Sequence, residues 1–193
     1  MRINLAIFHS VAVSALIMAV PGSASSHDAA PHAREMDEIS IEERFAVLDL
    51  MARYGQYFDN GNAEAYSSLY TEDGELKFPG KTPESPWIIV KGRKALADFT
   101  NQARSRNGME RISIHNLGNP IMVKVGPDHI RARTPVMYGT IDLTRNNAVS
   151  ILGYALYEDD IVRTPSGWRY QKRTANKYDA TPIPPEFLPA PGK

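Results

Sequence analysis

The stretch that most constrains the fold is residues 41–78, which read IEERFAVLDLMARYGQYFDNGNAEAYSSLYTEDGELKF. Ser40 followed three residues later by Glu43 is a capping box, so a helix is predicted to begin at residue 41. Asn60-Gly61 supplies the residues that usually end a helix. A helix of about five turns is therefore predicted before the chain reverses.

This helix is apolar over much of its circumference. Successive residues of a helix are rotated by about 100°, and one row of residues along this helix ends on the carboxylate of Asp59. The residues on that row are Ile41, Phe45, Leu48, Ala52, Gly55 and Asp59, and a second apolar stripe beside it contains Val47, Met51, Tyr54 and Phe58. Such a helix must pack on a broad surface, most simply the concave face of a sheet. Asp59 is then either a turn residue just past the helix end or a working acid/base group.

The remaining elements change from helical to alternating periodicity. A short helix at 63–70, a turn at 71–74 and a strand at 75–78 follow the first helix. A third helix is predicted at 92–104. Further strands are predicted at 87–90, 111–116, 121–125, 129–140, 149–164 and 168–175, with a hairpin loop at 145–147. Helices followed by an antiparallel meander indicate an α+β fold with helices on one face of the sheet.

Composition excludes several classes of function. The 193 residues suffice for one domain with a real core. Lys+Arg and Asp+Glu both number 22, so no net field attracts nucleic acid or a membrane surface. Cysteine is absent, which excludes disulfides, thiolate metal sites and a cysteine nucleophile. We find no glycine-rich phosphate loop, so nucleotide chemistry has no support. His27 and His32 lack partners at metal-ligand spacing, so no metal is predicted.

The chain divides into four predicted segments. Residues 1–26 have the charged start, apolar run and small-residue exit of a secretory signal peptide, although about 18 apolar residues can also serve as a membrane anchor. Residues 27–38 have no apolar period and are predicted to be a flexible leader. The domain covers residues 39–178, and residues 179–193 form a Pro-rich tail that lies extended against the domain or a partner subunit. The expected location is periplasmic or secreted.

Five short runs carry a resemblance to a known family. They are YGQYFDNGN at 54–62, LYTEDG at 69–74, GRKAL at 92–96, HNLGNP at 115–120 and GWR at 167–169. In this order they resemble SnoaL-like domains of the nuclear transport factor 2-like superfamily. The resemblance implies a cone in which a curved antiparallel sheet wraps around the long N-terminal helix. The fold alone does not fix a function, because it hosts dehydratases, isomerases, cyclases, hydrolases and binding proteins.

Within the superfamily the pattern is most similar to scytalone dehydratase, hexachlorocyclohexane dehydrochlorinase and bile-acid 7α-dehydratase. The resemblance implies a cofactor-independent site with an Asp from the end of the first helix and a His from a strand. By position these are Asp59 and His115. A neutral imidazole would abstract a proton while the carboxylate orients it. Tyr54 and Arg173 would stabilise the developing negative charge.

Several points stay open at the level of sequence. Alternation places His115 opposite Ile112 and Ile114, but does not say whether its side faces a pocket or a dimer partner. The dehydratases carry a further Asp or His on the next strand, where this chain offers Tyr138 and Thr140. Other residues expected to bind a ring-containing ligand are Asn119, Trp87, Met122 and Tyr154, with Tyr157 beside the last.

Three functions are compatible with these residues. The first is a lyase or isomerase, dehydratase-like, that acts on a small apolar or hydroxylated ring compound through the Asp-His dyad. The second is a non-catalytic small-molecule carrier of the same fold. The third is an assembly domain whose Pro-rich tail is exchanged with a neighbouring subunit. A homodimer or homotrimer is expected, formed through the outer sheet face, with no nucleic acid and no membrane partner after signal cleavage.

Overall fold

The computed structural model describes residues 38–108, 110–177 and 182–188, all within one compact unit, Glu35–Lys193. The predicted signal peptide and all but the last residue of the predicted leader lie outside the described residues. The helices are α1 Ile41–Asp59, α2 Ala63–Ser68 and α3 Arg93–Asn107. The strands are β1 Tyr70–Phe78, β2 Ile88–Lys91, β3 Arg111–Leu117, β4 Ile121–Gly126, β5 His129–Asp142, β6 Ala148–Thr164 and β7 Gly167–Lys177.

The seven strands form one curved, unclosed sheet in the order β2-β1-β7-β6-β5-β3, with β4 also paired to β5. All pairings are antiparallel except that of β1 with β7. Register shifts interrupt β5–β6 after Tyr138 and β6–β7 after Asp160. Such bulges bend a strand and increase its twist, which curves the sheet towards the helices. The predicted α+β architecture is confirmed.

Helix α1 packs its second apolar stripe against the concave face of the sheet. Val47, Met51 and Tyr54 are buried. The prediction for the first stripe was wrong at its start, since Ile41 and Phe45 are 70% and 67% exposed. In the first two turns Glu43 faces inward instead, where Lys124 and Arg163 bind it. An ion-pair cluster therefore replaces apolar packing at this end of the helix.

The region after α1 differs from the prediction in one respect. The turn predicted at residues 71–74 lies inside β1, which begins at Tyr70. Backbone pairing carries the chain straight into the sheet, because the Tyr170 N–H donates to the Leu69 carbonyl. The guanidinium of Arg93 then donates twice to the Tyr70 carbonyl, at 3.0 and 2.9 Å. The predicted turn is therefore an irregular section of β1, where its register against β7 shifts.

Residues 182–188 of the Pro-rich tail pack on the domain itself. A short 3-10 helix, Pro185–Phe187, lies against β4, and the ring of Phe187 is buried. Arg131 of β5 forms an ion pair with Glu186 and places its guanidinium over the Phe187 ring. The described part of the tail thus contacts its own chain. Across the described segments no helix is long and apolar enough to cross a membrane.

Candidate active site

A cavity of about 410 Å³ lies between the end of α1, helix α3 and the concave face of the sheet. Its floor and walls are mainly aromatic, and small residues of β6 and β7 leave the open space. The lining residues are Tyr54, Phe58, Leu76, Phe78, Pro79, Gly80, Phe99, His115, Tyr138, Tyr154, Ala155, Tyr157, Ala175, Asn176 and Lys177. An apolar, ring-lined cavity with a few polar groups is typical of a small-molecule site.

Asp59 and His115 meet at this cavity. Asp59 Oδ1 lies 2.6 Å from His115 Nδ1, and Asp59 Oδ2 accepts the His115 backbone N–H at 2.8 Å. Both side chains are 15% exposed. Both contacts are short, as is typical of hydrogen bonds to a carboxylate. The two residues predicted as a dyad are therefore in contact, and His115 lies on the cavity side of β3.

The contact determines how the imidazole can act. A carboxylate only accepts hydrogen bonds, so Nδ1 carries the proton and Nε2 has the free lone pair. Helix α1 ends at Asp59 and has no basic residue in its last turn. The negative end of the helix dipole and the carboxylate of Asp59 therefore both lie beside the ring of His115. In this tautomer Nε2 is the ring nitrogen that can accept a proton.

Close packing of α1 on β3 makes this geometry attainable. A Cβ on Gly55 would come within 3.1 Å of the His115 carbonyl oxygen, so glycine lets the helix approach the strand. The ring of Phe58 meets the imidazole edge-on, with centroids 5.2 Å apart. The ring of Tyr54 does so at 6.1 Å. The orientation of the His115 ring is therefore fixed on two sides by aromatic contacts.

Three tyrosines supply hydroxyl groups around the imidazole. Tyr54 is only 3% exposed and packs edge-on against Tyr157, with centroids 5.7 Å apart. Burial, reinforced by Tyr54, raises the pKa of Tyr157 well above its usual value, so its hydroxyl stays protonated as a donor. Tyr138 is the cross-strand partner of His115 and lies over Gly153, where a Cβ would come within 2.8 Å of its hydroxyl. Tyr138 therefore lines the cavity from the strand next to His115.

Arg173 lies on the last strand, as predicted, but outside the cavity. It is 0% exposed, is no part of the cavity lining, and forms two 2.7 Å hydrogen bonds with Asp159. Burial lowers the pKa of its guanidinium, but Asp159 together with the neighbouring tyrosines raises it by more, so Arg173 stays charged. The guanidinium stacks on the rings of Tyr54, Tyr157 and Tyr170 at 4.0, 4.3 and 4.2 Å. Arg173 supports the tyrosines from below, and the prediction of direct charge stabilisation was wrong.

The predicted ligand-binding residues divide into two groups. Tyr138 and Tyr154 line the cavity. Trp87 lines a neighbouring depression of about 450 Å³ instead, where Lys77 lies over its ring. Asn119 is exposed in the loop after β3, and Met122 packs against the core from β4. These three residues are absent from the lining because β2 and β4 lie at the margins of the sheet.

The sequence analysis missed residues that complete the cavity, notably Phe99, Ala155, Ala175 and Lys177. Phe99 lies on helix α3, where only helical periodicity could have indicated it. For Ala155, Ala175 and Lys177 the signal is the alternation of β6 and β7, in which Ala155, Tyr157 and Asp159 share a face. It was available once the register of the two strands was known. Within the described ranges no cluster of three His, Asp or Glu side chains could hold a metal ion.

Solved structures place this domain in a known class. An NTF2-like protein with a cystatin-like fold from Novosphingobium aromaticivorans is 28% identical, over 72% of this chain and 84% of that chain, with a TM-score of 0.59. ActVI-ORFA from Streptomyces coelicolor is 18% identical over 69% of this chain and 95% of its own, with a TM-score of 0.59. Aln2 from a Streptomyces species is 15% identical over 72% of this chain and 92% of its own, with a TM-score of 0.62. The fold is thus that of the nuclear transport factor 2-like proteins.

The family is defined more narrowly by the sequence itself. The model of the SnoaL-like domain matches residues 40–174, which is most of the chain. The chain therefore belongs to the SnoaL-like domain family, whose members include cofactor-independent isomerases and cyclases. No curated protein matches the sequence.

Proposed function

We propose that this protein is a cofactor-independent acid/base lyase or isomerase, dehydratase-like, that acts on a small ring-containing molecule. The observation that carries the proposal is the 2.6 Å contact between Asp59 and His115 Nδ1 at the wall of an aromatic cavity. A general base needs a free lone pair, a fixed orientation and a partner that stabilises its protonated form. His115 has all three.

The proposed reaction begins with proton abstraction. His115 Nε2 takes a proton from a carbon next to a carbonyl group, and the C–H electron pair becomes part of an enolate. Asp59 and the end of α1 stabilise the imidazolium that forms. The hydroxyl groups of Tyr54, Tyr138 and Tyr157 are the candidate donors to the enolate oxygen.

The second half of the reaction decides the product. In a dehydration the enolate electrons form a C=C bond, the C–O bond to a hydroxyl group breaks, and the imidazolium proton leaves with that hydroxyl as water. In an isomerisation the same proton returns to a different carbon. Neither course needs a redox cofactor, because electrons move only within the substrate.

A non-catalytic carrier is the second candidate, and one observation favours it. Asp59 also accepts the backbone N–H of His115, so the carboxylate ties α1 to β3 whether or not chemistry occurs. A carrier of this fold would keep the cavity and use the dyad only as this tie. The two candidates differ in turnover and agree on binding.

A panel of hydroxylated ring ketones separates them. Loss of water or migration of a double bond changes the ultraviolet absorbance of such compounds, and general-base catalysis contributes about 10² to 10⁴ in rate. We expect turnover that falls by at least about 10²-fold in His115→Ala while ligand affinity changes little. Binding without turnover across the panel would favour the carrier. Turnover that survives in His115→Ala would refute the mechanism.

A further inference from the structure

The last strand carries a cation at the open end of the cavity. Along β7, Arg173 pairs with Asp159, Ala175 with Tyr157, and Lys177 with Ala155. Alternate residues of a strand share a face, so Lys177 lies on the same concave face as Arg173 and Ala175. Burial falls along this row, from the fully buried Arg173 to the half-buried Ala175 and the exposed Lys177. Lys177 therefore stands where the cavity opens to solvent.

The charges around the cavity are unbalanced. Lys177 is the one Lys or Arg among the lining residues, and no Asp or Glu belongs to the lining. Lys177 also borders the adjacent depression, where Glu158 of the neighbouring strand lies and accepts a hydrogen bond from Asn176. No carboxylate of the described segments lies within ion-pair distance of Lys177. An unpaired ammonium at an apolar opening favours an anionic group at that end of a ligand.

Small side chains of the sheet and aromatic rings of the helices line the interior beneath Lys177. Ala155 and Ala175 form one wall with almost no side-chain bulk, and Tyr138 crosses the wall over Gly153. The opposite side consists of aromatic rings, with Phe58 and Phe99 5.7 Å apart. Flat rings stack well between small residues on one side and aromatic faces on the other. The cavity therefore favours an apolar ring in its interior and a charged group only at the outer end of the ligand.

We infer that the ligand of this cavity is a ring compound that carries a carboxylate, with the ring between the alanine wall and the phenylalanines and the carboxylate at Lys177. This orientation leaves the inner part of the ring towards His115. The inference rests on the proposed function for the role of that inner end. Recognition by Lys177 itself is a binding property and holds with or without turnover.

The test compares one ring acid with its neutral counterpart. We measure the affinity of 2-naphthoate and 2-naphthamide by calorimetry in wild type, Lys177→Met, Lys177→Arg and the control Lys91→Met. Lys91 is an exposed lysine at the end of β2, outside the cavity lining, so the control removes the same charge elsewhere. An exposed ion pair predicts that wild type prefers the acid by about 2- to 5-fold, less at high salt.

The expected pattern is specific. Lys177→Met loses the preference for the acid and keeps the amide affinity, whereas Lys177→Arg and Lys91→Met retain the preference. Equal binding of acid and amide in wild type, a preference that persists in Lys177→Met, or failure of both probes to bind would overturn the inference. Repeating the titrations in His115→Ala separates the two proposals. If the preference for the acid depends on Lys177 but no turnover occurs, only the catalytic function is refuted. If neutral rings are turned over in a His115-dependent way without that preference, only the ring-acid inference is refuted.

Discussion

At the scale of single residues, the pair Asp159–Arg173 shows why a correct motif can carry the wrong role. Both side chains are fully buried, and the guanidinium is enclosed by tyrosine rings on several sides. A charge taken out of water this completely must be paired and hydrogen-bonded. Arg173 therefore supports the tyrosines that line the cavity, and its charge is already compensated by Asp159.

This pairing predicts a large asymmetry between variants. Asp159→Asn leaves a buried guanidinium without its counter-ion and should lower the free energy of unfolding by about 3–5 kcal/mol. The double variant Asp159→Leu with Arg173→Met removes both charges and should lose less than the single variant. Urea unfolding followed by circular dichroism measures both. A loss below about 1 kcal/mol in Asp159→Asn would contradict a compensated buried pair.

Sequence reasoning reached the dyad but not its surroundings. Asp59 and His115 could be paired because a family pattern supplied their roles. Alternation alone separates the two faces of a strand and does not say which one lines the cavity. Asp159 was not singled out, because its match to Arg173 depends on register shifts that only the folded sheet reveals. Lys177 lay beyond the predicted end of the last strand, at residue 175. Predicted strand boundaries are the least reliable part of a sequence-based assignment, so cavity residues at strand ends are the ones most easily missed.

At the scale of elements, α1 is fixed to the sheet by different forces at its two ends. At its C-terminal end Asp59 ties it to β3, and at its N-terminal end Glu43 binds Lys124 and Arg163. The apolar pattern predicted the middle of this helix and was wrong for Ile41 and Phe45. Hydrophobic periodicity reports which residues can be buried, but Ile41 and Phe45 lie on the solvent side of the helix, and Glu43 faces the sheet in their place.

The Glu43 cluster predicts a dependence of stability on pH. Burial raises the pKa of Glu43, but hydrogen bonds from the Ser40 backbone and from Lys124, with a further one from Arg163, lower it by more. Because the folded-state pKa lies below the ordinary value of 4.5, the stabilisation is present above that pH and is lost as pH falls through the folded-state pKa.

Glu43→Gln isolates this contribution. It should reduce the free energy of unfolding by about 1–3 kcal/mol at pH 7, with a difference from wild type that shrinks as the pH falls below 4.5. Thermal unfolding across a pH series measures the difference. Glu42→Gln, at an exposed position one residue earlier, is the matched control and should change little. A difference between wild type and Glu43→Gln that stays constant down to about pH 3 would argue against an ionised Glu43.

At the scale of the whole molecule, the convex face of the sheet is the expected contact between subunits. Val149 and Ile151 of β6 are 60% and 55% exposed, and their cross-strand partners on β5 are Ile141 and Gly139. A contiguous apolar face of this kind is a candidate interface. We propose a homodimer or homotrimer formed through it. Ile151→Glu should then give monomers in sedimentation experiments with the cavity ligand affinity retained, whereas an unchanged mass would reject this interface.

The location of the protein is a further proposal at this scale. A secretory signal over residues 1–26 predicts that the mature chain begins close to residue 27 and is found in the periplasm or the medium. Mass spectrometry of the protein from cell fractions reads this directly. The full-length mass in the membrane fraction would favour an anchor instead.

The central claim is that His115, oriented by Asp59, removes a proton from a carbon acid held in the cavity. Exchange of the α-hydrogens of 2-tetralone in D₂O, followed by NMR, measures this step without requiring a leaving group. We expect exchange faster than in buffer, reduced by at least about 10²-fold in His115→Ala and clearly slowed in Asp59→Asn. Exchange at the buffer rate with wild-type protein, or equal exchange in His115→Ala, would contradict the claim.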